Sequence, residues 1–222
     1  MTTLRSVLFD LDGTLLDTAP DLAFACNTAV LEAGLEPQAI ADLKPLISGG
    51  APAMLRYTLA QNSRPVPFEP LLERMLELYQ SNIATHTRFF DGVETVLDEL
   101  ERRNLSWGIV TNKITRFTEP LLQALNFQDR PGCVISGDTV PEKKPHPLPM
   151  LEACRRIGSE PQECVYIGDA RRDIEAGRNA GMITLAALYG YVGASDPAHT
   201  WGADNLIEQP LDLLTWLDGI AP

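Results

Sequence analysis

Short apolar runs alternate with longer stretches whose apolar residues recur three and four apart, and that alternation predicts a parallel sheet wrapped by helices. The runs are SVLF at 6–9, LSWGIVT at 105–111, GCVIS at 132–136, CVYIG at 164–168 and MITLAAL at 182–188. Each is apolar enough to be buried on both faces, as strands of a parallel sheet are. Helical patterns begin near Phe117, Pro147 and Arg171, and a last helix follows Pro210. The interval after the first run breaks this rhythm. From Leu16 to about Arg88 there is no convincing strand, while DTAPDLAFACNTAVLEAG, APAMLRYTLAQN and FEPLLERMLELYQSNI all carry helical spacing. Asp17 or Thr18 is placed to cap the first of these, with Pro20 in its first turn and Gly34 closing it. Pro65, Pro67 and Pro70 mark a turn between the two halves of this interval. The expected fold is α/β: a Rossmann-like, doubly wound parallel sheet formed by residues 1–15 and 89–222, with an inserted all-helical domain at 16–88.

Composition narrows the function. The chain has 222 residues with 18 Lys+Arg against 30 Asp+Glu, a formal charge of −12, which would repel nucleic acid and anionic membranes. Hydrophobic residues make up 45% and charged residues 22%, an ordinary globular mixture that can bury a core. No apolar run approaches the roughly 18 residues of a membrane span, so a soluble, cytoplasmic protein is expected. Cys26, Cys133, Cys154 and Cys164 are widely spaced, form no CxxC pair and sit mostly in apolar segments, which suits buried free thiols in a reducing compartment. Monomer and homodimer both remain open.

The chemistry concentrates at the ends of the runs. VLFDLDGTLLDT leads an apolar strand into Asp10, Asp12, Gly13 and Thr14. Residues two apart in an extended chain point the same way, so both carboxylates are expected on one face, in the crevice where open α/β sheets bind ligands. Two like charges held there are costly unless a cation lies between them or one takes a proton. A polar turn opening a helix would read the same in isolation. Other strand ends are also polar: Thr111 and Asn112 follow the second run, where a hydroxyl and amides suit phosphate oxygens. Lys144 lies in PEKKPHPLP among prolines that restrict its backbone. Asp169 follows the fourth run, and Asp173 is one helical turn later on the same face. Carboxylates with water make a hard oxygen site suited to Mg²⁺.

The ordered set DxDGT, Thr-Asn, KPxP and GDxxxD resembles the haloacid dehalogenase superfamily of phosphatases, and it spans nearly the whole chain. The helical insertion after the first motif is similar to that family's cap domain of the type placed there. The resemblance implies that Asp10 is the nucleophile that forms an aspartyl phosphate and Asp12 the general acid and base. It implies that Thr111 holds the transferring phosphoryl group, that Lys144 balances its charge, and that Mg²⁺ binds Asp10, Asp169 and the backbone carbonyl of Asp12, with Asp173 in support. Asp12 argues against a dehalogenase, which lacks that second aspartate. A sugar phosphomutase and a non-catalytic phosphorylation receiver remain as alternatives.

The resemblance implies that the inserted helices contact the leaving group and so select the substrate. LISGGAPAML is a Gly-rich turn opening a helix, where Ser48, Gly49 and Gly50 either present amides to an anionic or hydroxylated substrate or simply start the helix. Arg56 either meets a substrate carboxylate or is an exposed charge. The general pattern is similar to phosphoglycolate phosphatases. The stretches ISGGAxAM, FFDGV, SWGIVTNKxxRFxEP, GDARRDIEAGRNAG and YGYVGASDPAHTWGAD together resemble the N-acetylmuramate 6-phosphate phosphatases of bacterial cell-wall recycling. That resemblance implies a small phosphorylated metabolite: N-acetylmuramate 6-phosphate first, 2-phosphoglycolate second. His86, His146 and His199 lack metal spacing, Arg171 and Arg172 read as surface ion pairs, and Trp107, Trp201 and Trp216 read as packing residues. The stretch YGYVGASDPAHTWGAD is expected to be a loop.

Overall fold

The computed structural model describes residues 4–220. In chain order its elements are β1 (Ser6–Phe9), β2 (Leu16–Asp17), α1 (Ala19–Glu32), α2 (Ile40–Leu43), α3 (Gly50–Ala60), α4 (Phe68–Ser81), β3 (Arg88–Phe89), α5 (Val93–Arg102) and β4 (Ser106–Val110). They continue with α6 (Thr115–Ala124), β5 (Val134–Ile135), α7 (Leu148–Ile157), β6 (Cys164–Gly168), α8 (Arg171–Ala180), β7 (Ile183–Ala187), β8 (Asn205–Ile207) and α9 (Asp212–Ile220). The chain divides into two compact units: residues up to Leu16 together with those from Phe89 onward, and residues 17–88.

The first unit is built on a parallel sheet which, among the described residues, has six strands in the order β5-β4-β1-β6-β7-β8. β1 and β6 are buried at every position because helices cover both faces of the sheet. One side packs Leu8, Val110, Ile135, Met150 and Tyr166 into a common core, and Ile174, Ala186, Ala198 and Trp201 form another cluster. Register fixes where the chemistry emerges. Phe9 lies opposite both Ile109 of β4 and Ile167 of β6, so Asp10, Thr111 and Asp169 leave neighbouring strands at one carboxyl edge. The Asp10 amide still donates to Ile167 O at 2.9 Å and the Thr111 amide to Ile135 O at 2.9 Å, so both side chains start from backbone held by the sheet.

Several expectations are corrected here. GCVIS contributes only the two residues of β5, at the sheet edge. The stretch 189–204 is a loop apart from one short 3-10 turn, but β8 follows it and extends the sheet. α5 was not among the expected elements, although Val93, Val96, Leu97 and Leu100 bury one helical stripe. Two short strands, β2 and β3, pair where none was expected, at the two points where the chain passes between units. All four cysteines are buried free thiols, and among the described residues no helix is long and apolar enough to cross a membrane.

Residues 17–88 fold into helices alone between those crossings. α1 packs on α4 and α3, burying Cys26, Ala29 and Val30 with Met54, Leu55, Met75 and Tyr79. Pro20 lies in the first turn of α1 as expected, but Thr18, the N-cap residue, makes no side-chain capping bond, and it is Asp17, one residue earlier, whose Oδ1 accepts the Ala19 amide at 3.3 Å. Pro65 and Pro67 precede α4, whereas Pro70 lies inside its first turn.

Asp21, fully buried in the first turn of α1, gathers the end of this unit onto itself. Its carboxylate accepts the Thr87 amide and hydroxyl, each at 2.8 Å, and the His86 amide at 3.0 Å, with His86 Nδ1 at 3.1 Å. Removing the acceptor strands several donors that folding has already taken from water. Asp21→Ala is expected to cost about 2 to 4 kcal/mol of unfolding free energy, read from a lowered denaturant midpoint; an unchanged midpoint would contradict this role.

Candidate active site

The site begins with Lys144, whose ammonium is buried among charges and dipoles. Its Nζ lies 2.9 Å from Asp10 Oδ1 and 2.7 Å from Asp173 Oδ1, and donates to Val110 O and to the Tyr166 hydroxyl oxygen, both at 2.8 Å. The Tyr166 hydroxyl in turn donates to Val110 O at 2.8 Å. A buried ammonium is tolerable only with such partners, and each carboxylate is tolerable because the ammonium is there. The loop carrying Lys144 is held by Asn112, whose side-chain oxygen accepts the Lys144 amide and whose Nδ2 donates to Lys144 O, both at 3.0 Å. The Asn112 side chain therefore holds Lys144 in place.

Asp10, Asp169 and Asp173 are all buried, and each offers an oxygen such that these atoms lie within 4.8 Å of one another. Each is aimed by backbone amides: Asp10 Oδ1 accepts from Leu11, Asp169 Oδ2 from Tyr191, both at 2.8 Å, and Asp173 Oδ2 from Ala170 at 3.0 Å. Thr14 also donates its hydroxyl to Asp169 Oδ1 at 3.3 Å. Burial, together with the charges of Asp10 and Asp173, pushes the Asp169 carboxyl up to about 8. Asp173 is likewise raised, by burial first, with Lys144 opposing. Three crowded carboxylates with one ammonium directly between two of them are short of positive charge, which is the donor set a hard divalent cation fits.

Asp12 stands apart from this triad. Lys113 Nζ reaches both of its oxygens, at 2.9 and 3.1 Å, so the two aspartates of the first motif are paired with different lysines. Asp12's carboxylate is not among the clustered oxygens, so any share it has in cation binding rests on its backbone carbonyl. Thr111 is buried and its Oγ1 accepts the Lys113 amide at 3.1 Å, which leaves its own hydroxyl proton to be donated elsewhere.

Two glycines make room for the acids. Gly13 has φ +87°, and a Cβ there would sit 2.1 Å from Asp169 Oδ2; a Cβ on Gly190 would sit 2.3 Å from Gly13 O and 2.4 Å from Asp169 Cβ. Sequence reasoning missed Gly190, Tyr191, Tyr166 and Lys113. Lys113 stands directly after the Thr-Asn pair and was within reach of that motif, whereas Tyr191 meets Asp169 only through tertiary folding. Arg171 pairs with Asp196 and reaches Thr200, as a surface pair should, but the Arg172 guanidinium senses the charges of Asp173, Asp10 and Asp169. Exposed His146 accepts the Leu148 amide at 3.1 Å, and His199 is exposed on its loop.

Ser48, Gly49, Gly50 and Arg56 belong to the helical unit. A 3-10 turn over Lys44–Gly49 leads into α3, Gly50 has φ +75°, and the exposed Arg56 guanidinium lies 4.5 Å above the Phe68 ring.

The chain matches the model of the haloacid dehalogenase-like hydrolase family over residues 7–187. It is 42% identical over 215 residues to the N-acetylmuramic acid 6-phosphate phosphatase of Pseudomonas putida, covering 97% of this chain and 96% of that protein. It is 46% identical over 209 residues to a phosphoglycolate phosphatase of Xanthomonas campestris pv. campestris, covering 94% of each. A crystal structure described as a predicted phosphoglycolate phosphatase, from Haemophilus somnus, superposes with a TM-score of 0.88 at 26% identity, covering 97% of this chain and 99% of that one. With its parallel sheet, its carboxyl-edge aspartates and these relatives taken together, the chain belongs to the haloacid dehalogenase-like hydrolases.

Proposed function

We propose that the protein is a Mg²⁺-dependent cytoplasmic phosphomonoesterase that hydrolyses N-acetylmuramate 6-phosphate through an aspartyl phosphate. The observation that carries the catalytic part is Asp10, buried at the carboxyl edge of the sheet with its carboxylate held by the Leu11 amide and the Lys144 ammonium. An anionic nucleophile approaching a phosphate dianion is repelled, and Lys144 offsets part of that repulsion without water to screen it. Asp10 attacks phosphorus and the ester oxygen departs with a proton from Asp12. Asp12 then takes a proton from the water that cleaves the acyl phosphate, releasing inorganic phosphate and restoring Asp10. Thr111 donates its hydroxyl proton to a phosphoryl oxygen. Asp10, Asp169, the Asp12 carbonyl and, in support, Asp173 would hold Mg²⁺, which would supply the remaining positive charge and orient the phosphoryl group.

The helical unit is read as the family's cap domain, with the amides at Ser48, Gly49 and Gly50 and the Arg56 guanidinium as contacts for the substrate's hydroxyls and carboxylate. The Pseudomonas putida relative supports the amino-sugar substrate, and the finer motif pattern points the same way. The second reading is 2-phosphoglycolate, favoured by the 46% identical Xanthomonas relative. Both substrates carry a carboxylate, so the same Arg56 serves either.

Three outcomes are expected. Asp10→Asn should lower kcat by about a thousandfold or more, with the circular dichroism spectrum unchanged, because shape is kept while the nucleophile is lost; wild-type-like turnover would end the mechanism. Without a cation, Asp169's folded pKa near 8 lies above its unfolded value, so the native state binds the extra proton and this contribution to stability is lost as pH rises towards 8. Mg²⁺ must displace that proton, so the rise in melting temperature on adding Mg²⁺ to EDTA-treated protein should be larger at about pH 8.5 than at about pH 6, and an equal rise at both would refute the coupling. Finally, kcat/KM for phosphate release should favour N-acetylmuramate 6-phosphate over 2-phosphoglycolate by about tenfold or more, a difference of about 1.4 kcal/mol; the reverse preference would select the second reading.

A further inference from the structure

We infer that Lys113 is the positioning residue that aims Asp12 at the leaving oxygen. The inference rests on the phosphatase reading above and deepens it. The pair is unlike an ordinary surface salt bridge. The Lys113 side chain is 7% exposed and that of Asp12 18%, and Nζ reaches both carboxylate oxygens, at 2.9 and 3.1 Å. Exposed pairs of this kind contribute little because two long side chains must be ordered against water and salt, whereas a sheltered, two-point contact fixes an orientation.

The base of Lys113 is as constrained as its tip. Its amide donates to Thr111 Oγ1 at 3.1 Å, and its carbonyl accepts the Gly137 amide at 2.8 Å and the Thr118 hydroxyl at 3.1 Å. Gly137 permits this approach, since a Cβ there would come within 2.2 Å of Asn112 O. One short segment, Thr111 to Lys113, therefore arranges three partners: the Thr111 hydroxyl, Lys144 through Asn112, and Asp12 through Lys113.

The need for such a hold follows from the spacing of the two acids. Asp12 is two residues from Asp10, whose oxygen is clustered with those of Asp169 and Asp173, and a carboxylate so close is free to turn towards a cation bound there. A general acid that becomes a metal ligand is lost to proton transfer, and an acid that swings into water loses the advantage of fixed proximity. Lys113 holds the carboxylate away from both fates.

The readout that separates positioning from general structural support is leaving-group dependence. kcat/KM reports the steps through transfer to Asp10. An alkoxide needs the proton from Asp12 during that transfer, whereas nitrophenolate leaves without one. For Lys113→Met, kcat/KM is expected to fall about 100-fold on the better of N-acetylmuramate 6-phosphate and 2-phosphoglycolate, but less than about 5-fold on p-nitrophenyl phosphate. Lys113→Arg should restore the alkyl ester to within about tenfold of wild type, and adding Asp12→Asn to Lys113→Met should produce little further loss. In a crystal structure of Lys113→Met, the Asp12 carboxylate should have left its wild-type position. Equal losses on both esters, a loss confined to KM, or an Asp12 that stays in place would overturn the inference. A wild type that cleaves neither ester would count against the phosphatase reading instead, and the Asp12 position in the variant crystal would still decide the role of Lys113.

Discussion

The buried ammonium of Lys144 sets the terms for the rest of the site. It touches Asp10 and Asp173 and lies beside Tyr166 and the Val110 carbonyl, all away from water. Removing one partner from a buried pair costs about 3 to 5 kcal/mol, because the charge left behind has no solvent to return to. The surrounding structure is therefore built to keep Lys144 where it is. Asn112 grips its backbone from both sides, and Pro145 follows it directly. Asp10, the proposed nucleophile, is thus oriented and sheltered before any substrate arrives.

The sheet makes this possible through register. A one-residue slip of β1 against β4 or β6 would turn Asp10 to the other face of the sheet and separate it from Lys144 and Asp169. Both faces of β1 are buried, so such a slip would also take Leu8 out of the core it shares with Val110 and Tyr166 and drive Val7 and Phe9 into its place, and packing thereby enforces the alignment on which the site depends. The glycines at 13 and 190 do complementary work at close range, since any side chain there would occupy the space of the Asp169 carboxyl.

What was legible in the sequence follows from this division between local and long-range causes. The central strands read clearly because burial on both faces demands unbroken apolar runs, and 6–9 and 164–168 match β1 and β6 to the residue. Edge strands do not carry that demand: β5 shrinks to two residues, and β8, with Asn205 and Leu206 exposed, has no apolar signature. α5 shows the helical spacing as plainly as its neighbours and was legible, though absent from the expected elements. At the site, the aspartates, Thr111 and Lys144 could be found because they stand at strand ends or in a restricted loop. Their partners could not all be found that way. Tyr191 reaches Asp169 across 22 positions of sequence, and Asn112 reaches Lys144 across 32, distances over which spacing says nothing.

Two aspartates two residues apart thus come to occupy different electrostatic settings on one strand end. Asp10 is buried with an ammonium that also neutralises Asp173, in a cluster that still lacks positive charge. Asp12 is partly open to water and held by a lysine of its own. Chemically identical side chains diverge in this way only when the environment separates them. Here the separation is made by the turn at Gly13, which follows Asp12 directly with φ +87°, and by the two lysines, which arrive from different loops at the same sheet edge. The net charge of −12 has no bearing on this. A phosphate dianion meets the local field of buried cations at the carboxyl edge, where the low dielectric gives a few fixed charges more weight than the many screened ones on the surface.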